Sequence, residues 1–204
     1  MLAAVICAAL AERGERVAAF KPVVTGLDEP PGPFSHDHRL LAGLASAGQS
    51  PEEVAPYRYG PPLSPHLAAQ LAGEMIEPAV LLETARAAGS PLVCEGVGGL
   101  VVPITTGYLV RDFAVDLGLP IVIAARTGLG TINHTLLTVE AARAAGLKVA
   151  AVVMTPWPDR PEPIEVSNRE TVERLAAVHV SGLPPTDLES LAAAGRSLPL
   201  DEWF

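Results

Sequence analysis

Short, continuously apolar runs alternate along the chain with longer Ala- and Leu-rich stretches whose apolar positions recur at helical spacing. Residues 1–13 predict a helix that ends near Gly14, and residues 16–20 a strand followed at once by Lys21-Pro22. A Pro/Gly loop at 26–35 leads into a predicted helix at 37–47. The Pro-rich stretch 51–66 is expected to be irregular. Residues 78–88 predict a helix, 91–95 a strand running into Gly96-Val97-Gly98-Gly99, and 110–117 a helix. A strand at 120–125 is followed by Gly128-Leu129-Gly130, and a long helix at 131–145 is stopped by Gly146. The remaining elements are a strand at 148–153, a loop at 156–163, a helix at 168–176 and a short strand at 178–180. Strands alternating with helices in this way specify a parallel sheet. Ile121-Val122-Ile123-Ala124 is apolar at every position, the pattern of a strand buried on both faces. The expected architecture is therefore α/β, a three-layer, Rossmann-like parallel sheet with helices on both faces. No repeat or linker divides the chain, so residues 1–204 are expected to form a single domain.

Composition narrows the class. Hydrophobic residues make up 49% of the 204 positions and charged residues 18%, which excludes a disordered chain. The net charge of −9, without a basic stripe, argues against nucleic acid or an anionic membrane as partner. The apolar run before Glu12 is too short to span a bilayer and lacks the positive flank of a signal peptide, so the expected location is cytoplasmic. Without export, the Asn133-His134-Thr135 glycosylation triplet is a chance match. Cys7 and Cys94 show no C-x-x-C spacing and read as small core residues of a reducing compartment.

In open parallel sheets, chemistry collects at the carboxyl ends of the strands. Those ends carry Lys21-Pro22-Val23-Val24-Thr25-Gly26, Glu95-Gly96-Val97-Gly98-Gly99, the segment from Arg126 to His134, and Thr155-Pro156-Trp157. A lysine, a carboxylate and glycine-rich backbone on one rim suit an anion accompanied by a metal. Lys21 is one of only two lysines against twelve arginines, which suggests a need for a compact ammonium at that point. Glycines after Glu95 let backbone N–H groups approach an anion, and a carboxylate facing that anion implies Mg²⁺. Asp37 reads either as a second Mg²⁺ carboxylate or as an acid favoured by the start of its helix. A zinc site at His36-Asp37-His38 is a third reading, without a matching ligand set elsewhere. The free N–H groups after Gly130 can receive a carboxylate or phosphate, or Thr131 simply caps the helix. Asn168 reads as another cap and His66 as a hydrogen-bonded turn histidine.

In this order, these segments resemble the dethiobiotin synthetase family, ATP-dependent carboxylases that close the ureido ring in biotin synthesis. The resemblance rests on Lys21 to Gly26, Asp37, Ser64-Pro65-His66, Glu95 to Gly99, Gly130-Thr131-Ile132-Asn133-His134 and Gly182-Leu183-Pro184-Pro185. It implies a P-loop NTPase-like fold and a homodimer. Lys21 would be the catalytic lysine, meeting the substrate carbamate and the transferring phosphoryl group. Thr25 would bind the diamine, and Asn133 of the second subunit would help seat its carboxylate. Asp37 and Glu95 would hold Mg²⁺ with the nucleotide. Glu95, Gly96, Val97 and Gly98 would lie along ATP, and Thr155, Pro156, Leu183, Pro184 and Pro185 would line its base and ribose. The implied reaction joins 7,8-diaminononanoate to CO₂ or bicarbonate.

The family's phosphate loop, G-x4-G-K-S/T, occurs nowhere in the sequence. Aligned through Lys21, Met1 falls just after that motif's place, so the first central strand and its loop are expected to be missing, through a late start assignment or a shortened gene. On this ground the 204-residue chain is expected to fold poorly and turn over little ATP. The rival readings are a non-catalytic dimerisation module without a P-loop and another ATPase of the same superfamily. Thr25 beside Lys21, with no glutaminase domain, argues against the amide-forming members.

Overall fold

In the computed structural model, which describes residues 1–204, the chain divides into two units, 1–117 and 118–204. The first opens on α1 (Leu2–Glu12), which buries Ala4, Val5, Ile6, Cys7, Ala9 and Leu10. Gly14, at φ +82°, turns the chain out of it. Then follow β1 (Ala18–Phe20), β2 (Val23–Val24), α2 (Asp37–Leu44), α3 (Pro51–Val54), β3 (Tyr57–Arg58) and α4 (Pro65–Ala72). The unit closes with α5 (Pro78–Ala87), β4 (Leu92–Cys94), β5 (Pro103–Thr105), β6 (Tyr108–Leu109) and α6 (Val110–Leu117).

β1 pairs in parallel with β4, Ala18 opposite Leu92 and Phe20 opposite Cys94. This register sets the next residues, Lys21 and Glu95, side by side, and the Glu95 N–H donates to the Phe20 carbonyl at 2.8 Å. The three residues of β1 are at most 1% exposed, as a strand covered on both faces must be. α1 packs on β4, and α2 and α3 pack on β1. Phe20, Leu81, Ala85, Ile104, Val110 and Phe113 form a core to which Leu92 and Cys94 add. The Phe20 and Phe113 rings lie 6.0 Å apart.

One expectation fails in this unit, and one element was not foreseen. The stretch 51–66 is ordered: Ser50 and Glu53 cap α3 reciprocally, β3 pairs in parallel with β2, and Pro65 opens α4. Both prolines stand at first helical positions, where a missing N–H costs nothing, rather than breaking structure. β5 and β6 form an antiparallel hairpin around Thr106-Gly107, an element the sequence pattern did not reveal.

The second unit holds β7 (Ile121–Ala125), α7 (Thr131–Ala144), β8 (Val149–Met154), α8 (Pro163–Ala176), β9 (Val180–Gly182), α9 (Leu191–Gly195) and a short 3₁₀ turn (Leu200–Glu202). Its three strands are parallel in the order β7-β8-β9. Central β8 buries Ala151, Val152, Val153 and Met154 completely. β7 stands at the edge with Ala124 exposed and Ile121, Val122 and Ala125 half-buried, so burial on both faces does not hold for it. Val139 of α7 and Val172 and Ala176 of α8 pack with Ile123, Val152, Met154 and Val180. α8 begins at Pro163, five residues before the expected start, because Glu162 and Glu165 form its reciprocal cap. β9 lies two residues later than expected, a shift that keeps every side chain on its face. No helix is long and apolar enough to cross a membrane.

Candidate active site

Lys21 leaves β1 into the interior and is only 5% exposed. Its backbone N–H donates to the Val54 carbonyl at 2.9 Å, which fixes its direction. Its Nζ donates to Glu95 Oε1 at 2.6 Å, Asp37 Oδ2 at 2.8 Å and the Gly96 carbonyl at 3.3 Å. An ammonium has three N–H donors, and here each has an acceptor. Glu95 arrives through strand register. Asp37 arrives as the first residue of α2, where the helix dipole favours a carboxylate, in line with its reading as a helix-start acid. Burial disfavours the Lys21 charge, but Glu95 and then Asp37 outweigh it and hold the amine above its usual 10.5. Burial likewise works against the Asp37 charge, and the Lys21 ammonium overcomes it, leaving the carboxyl below its usual 3.8.

The glycine segment after Glu95 is shaped by packing. Gly98 sits at φ +67°, and a Cβ there would come within 3.0 Å of Val102. Val97 gives its side chain to the core, so only its backbone remains for a ligand. Thr25 lies half-buried just beyond β2, before Gly26, whose N–H donates to the Pro61 carbonyl at 3.1 Å. His38 is 3% exposed, its ring 6.3 Å from that of His36, and its Nδ1 has no partner. His66 stands in the first turn of α4 with its Nδ1 buried and unpartnered, which corrects its reading as a hydrogen-bonded turn histidine.

In the second unit, Thr131 does not cap α7; its hydroxyl donates to the Arg126 carbonyl at 2.6 Å. Asn168 is not a cap either. It lies inside α8, 7% exposed, and its Nδ2 donates to the Thr127 and Gly128 carbonyls at 2.8 and 3.2 Å. These bonds tether the glycine loop ahead of α7. Asn133 is exposed on a shallow groove of about 480 Å³ with Leu129, Ile132, Leu136 and Leu137. At the strand ends, Thr155 N–H donates to Ala125 at 2.8 Å, Leu183 N–H to Met154 at 2.9 Å and Trp157 N–H to Leu183 at 2.7 Å. Thr155, Pro156 and Leu183 are thus brought together, while the Leu183 side chain is wholly buried, Pro184 half-buried and Pro185 exposed. The sequence placed Trp157 at this strand end without giving it a role. The Trp157 ring lies so close to Gly182 that a Cβ there would meet it at 2.6 Å, and the Arg169 guanidinium stands 5.5 Å from the ring centre. A tryptophan three residues past the end of β8 was the available signal.

Residues 2–189 match a family model described as an AAA domain. The ATP-dependent dethiobiotin synthetase of Bacillus subtilis (strain 168) is 34% identical over 183 residues, 88% of this chain and 78% of that protein. That of Rhodococcus jostii (strain RHA1) is 37% identical over 209 aligned positions, covering 100% of this chain and 88% of its own. The chain belongs to the dethiobiotin synthetase family. The Anaeromyxobacter dehalogenans synthetase, 38% identical over 189 residues, covers 91% of this chain and 82% of its own. The P-loop NTPase-like α/β class expected from the sequence is the class of this synthetase family. No three His, Cys, Asp or Glu side chains are grouped to hold a metal ion. A Mg²⁺ ion that kept waters and phosphate oxygens as its other ligands would need no more than two carboxylates. Asp37 and Glu95 fit that role: both are hard oxygen donors, and both already converge on one positive charge at 2.8 and 2.6 Å.

Proposed function

We propose that this protein makes dethiobiotin from 7,8-diaminononanoate, CO₂ and ATP with Mg²⁺, releasing ADP and phosphate. The observation that carries the reading is the buried ammonium of Lys21, at the end of β1, bridging Glu95 at the end of β4 and Asp37 at the start of α2. It is a cationic point flanked by the ligands of a second cation, as phosphoryl transfer to a carbamate requires.

One amine of the substrate attacks CO₂, forming an N–C bond and, after proton loss, a carbamate. A carbamate oxygen attacks the γ-phosphorus of ATP, and the bond to ADP breaks. The second amine then attacks the carbonyl carbon, closing the ring and expelling phosphate. Lys21 neutralises charge on the carbamate and the transferring phosphoryl oxygens, while Thr25 orients the diamine. Asp37 and Glu95 hold Mg²⁺, which neutralises phosphate charge when bound. The backbone of Glu95, Gly96, Val97 and Gly98 follows the phosphates. Thr155, Pro156, Pro184, Pro185 and the backbone of Leu183 line the base and ribose. The protein works as a homodimer in which Asn133 of the second copy seats the substrate carboxylate, in the cytoplasm and without nucleic acid or membrane as partner. The family match over residues 2–189 supports reading the chain as one functional domain.

The test is radiolabel from bicarbonate entering dethiobiotin, with protein purified from its own host, ATP, Mg²⁺ and the diamine. One ADP per dethiobiotin, both dependent on the diamine, is the expected result. ADP formation indifferent to the diamine would sink the assignment. Lys21→Met is expected to lower kcat by roughly 10²–10³, the usual effect of removing one preorganised charge-stabilising donor.

A further inference from the structure

We propose that the Lys21 ammonium is a built-in cation that occupies the place of the metal between Asp37 and Glu95, and that a divalent ion entering there releases it toward the substrate. This rests on the assignment above of Asp37 and Glu95 as the metal-holding pair. The first support is donor arithmetic. All three N–H groups of Lys21 have acceptors, two of them carboxylates at 2.6 and 2.8 Å and the third the Gly96 carbonyl at 3.3 Å. In this arrangement none is left for a carbamate or phosphoryl oxygen.

The second support is the shape of the site. Lys21 has a side chain only 7% exposed, behind an Asp37 side chain that is 51% exposed and a Glu95 side chain that is 25% exposed. The carboxylates therefore face solvent on the side from which an ion arrives, and the ammonium backs them from within. Ligand distances of about 2.0–2.1 Å would bring Mg²⁺ against the same oxygens that Lys21 now holds. Two cations sharing those oxygens repel each other, so filling one position weakens the other. The lysine keeps the carboxylates paired when no metal is bound, and metal entry is what frees its N–H groups. Metal loading and arming of the lysine become one event.

The small number of lysines makes this testable, since Lys148→Arg leaves Lys21 alone. In Lys148→Arg protein with ¹⁵N-labelled lysine, the Lys21 ammonium signal is expected to stay in place with ATP and EDTA. With Mg²⁺-ATP it should move, and its protons should exchange with water at least tenfold faster. A signal identical in the two conditions would overturn the proposal. Separately, Mn²⁺ alone, followed by electron paramagnetic resonance, is expected to bind Lys21→Met at least tenfold more tightly than the unsubstituted protein. Equal or weaker binding would overturn it. If Lys21→Met does not fold, the resonance experiment on the Lys148→Arg protein decides alone. Neither measurement needs turnover. Dethiobiotin formation with an unmoved lysine signal would refute this inference only, and a metal-released lysine without dethiobiotin would refute only the proposed reaction.

Discussion

Burial and charge pull in opposite directions at Lys21, and the two carboxylates win. The linked pH dependence has a definite sign. Lys21 titrates above its ordinary 10.5 in the folded state, so its contribution is complete below that value and is lost as pH rises through the raised one. Asp37 titrates below its ordinary 3.8, so its contribution is complete above that value and is lost as pH falls through the lowered one. Between these limits the pair contributes a constant stability. Acid melting curves are expected to show it: below about pH 4 the melting temperature of the unsubstituted protein falls more steeply than that of Asp37→Asn. Parallel curves for the two proteins would remove Asp37 from the account. Gly98 offers a second test at this scale. Its φ of +67° and the 3.0 Å approach of Val102 penalise any side chain. Gly98→Ala is expected to cost about 1–3 kcal/mol of stability in urea unfolding, the usual range for such a backbone position. Lys21 and Glu95 were legible in the sequence because both directly follow apolar strand runs. The third acceptor of the ammonium, the Gly96 carbonyl, was not, because a backbone oxygen has no signature among residue types.

At the scale of elements, periodicity revealed most of what it governs. The helices at 131–144 and 110–117 and the strands at 121–125 and 149–154 fall within a residue or two of their expected limits. Elements or their starts were missed where a proline read as a breaker in fact opened a helix, whole at Pro51 and Pro65 and by five residues at Pro163. The same error hid the role of Asn168. Once α8 is seen to begin at Pro163, Asn168, Val172 and Ala176 fall at intervals of four on one buried face. A buried amide on such a face needs partners, and it finds them in the Thr127 and Gly128 carbonyls. Asn168→Ala leaves both carbonyls without that donor. The expected loss is about 1–3 kcal/mol, read as a lower urea midpoint with unchanged slope. Asn168→Asp is expected to be at least as harmful, since a carboxylate would face two carbonyl oxygens. An unchanged midpoint in Asn168→Ala would show that the glycine loop holds itself.

For the whole molecule, the polarity of α7 is the informative feature. This helix buries Thr131 and Thr135, 4% and 3% exposed, while Leu137 is 56% exposed and Leu129 just ahead of it 95% exposed. The helix also buries Val139 and Ala142 and exposes Asn133, His134 and Glu140, so Leu137 stands as an apolar side chain on an otherwise polar outer face. Here the outward apolar side chains border the same groove as Asn133, the residue assigned to the substrate of a second copy. Exposed leucines beside a polar side chain are what a dimer interface requires. The unsubstituted protein is therefore expected to show twice its monomer mass in light scattering at micromolar concentration. The double substitution Leu129→Asp/Leu137→Asp is expected to be a folded monomer, because both charges would have to be buried in the pair. If Asn133 acts across that interface, the monomer's KM for the diamine rises at least tenfold while its KM for ATP stays within about twofold, the pattern of lost substrate binding rather than lost chemistry. A double variant that remains dimeric would move the interface elsewhere. A monomer with an unchanged KM for the diamine would return Asn133 to the surface of α7, without a role in binding the substrate.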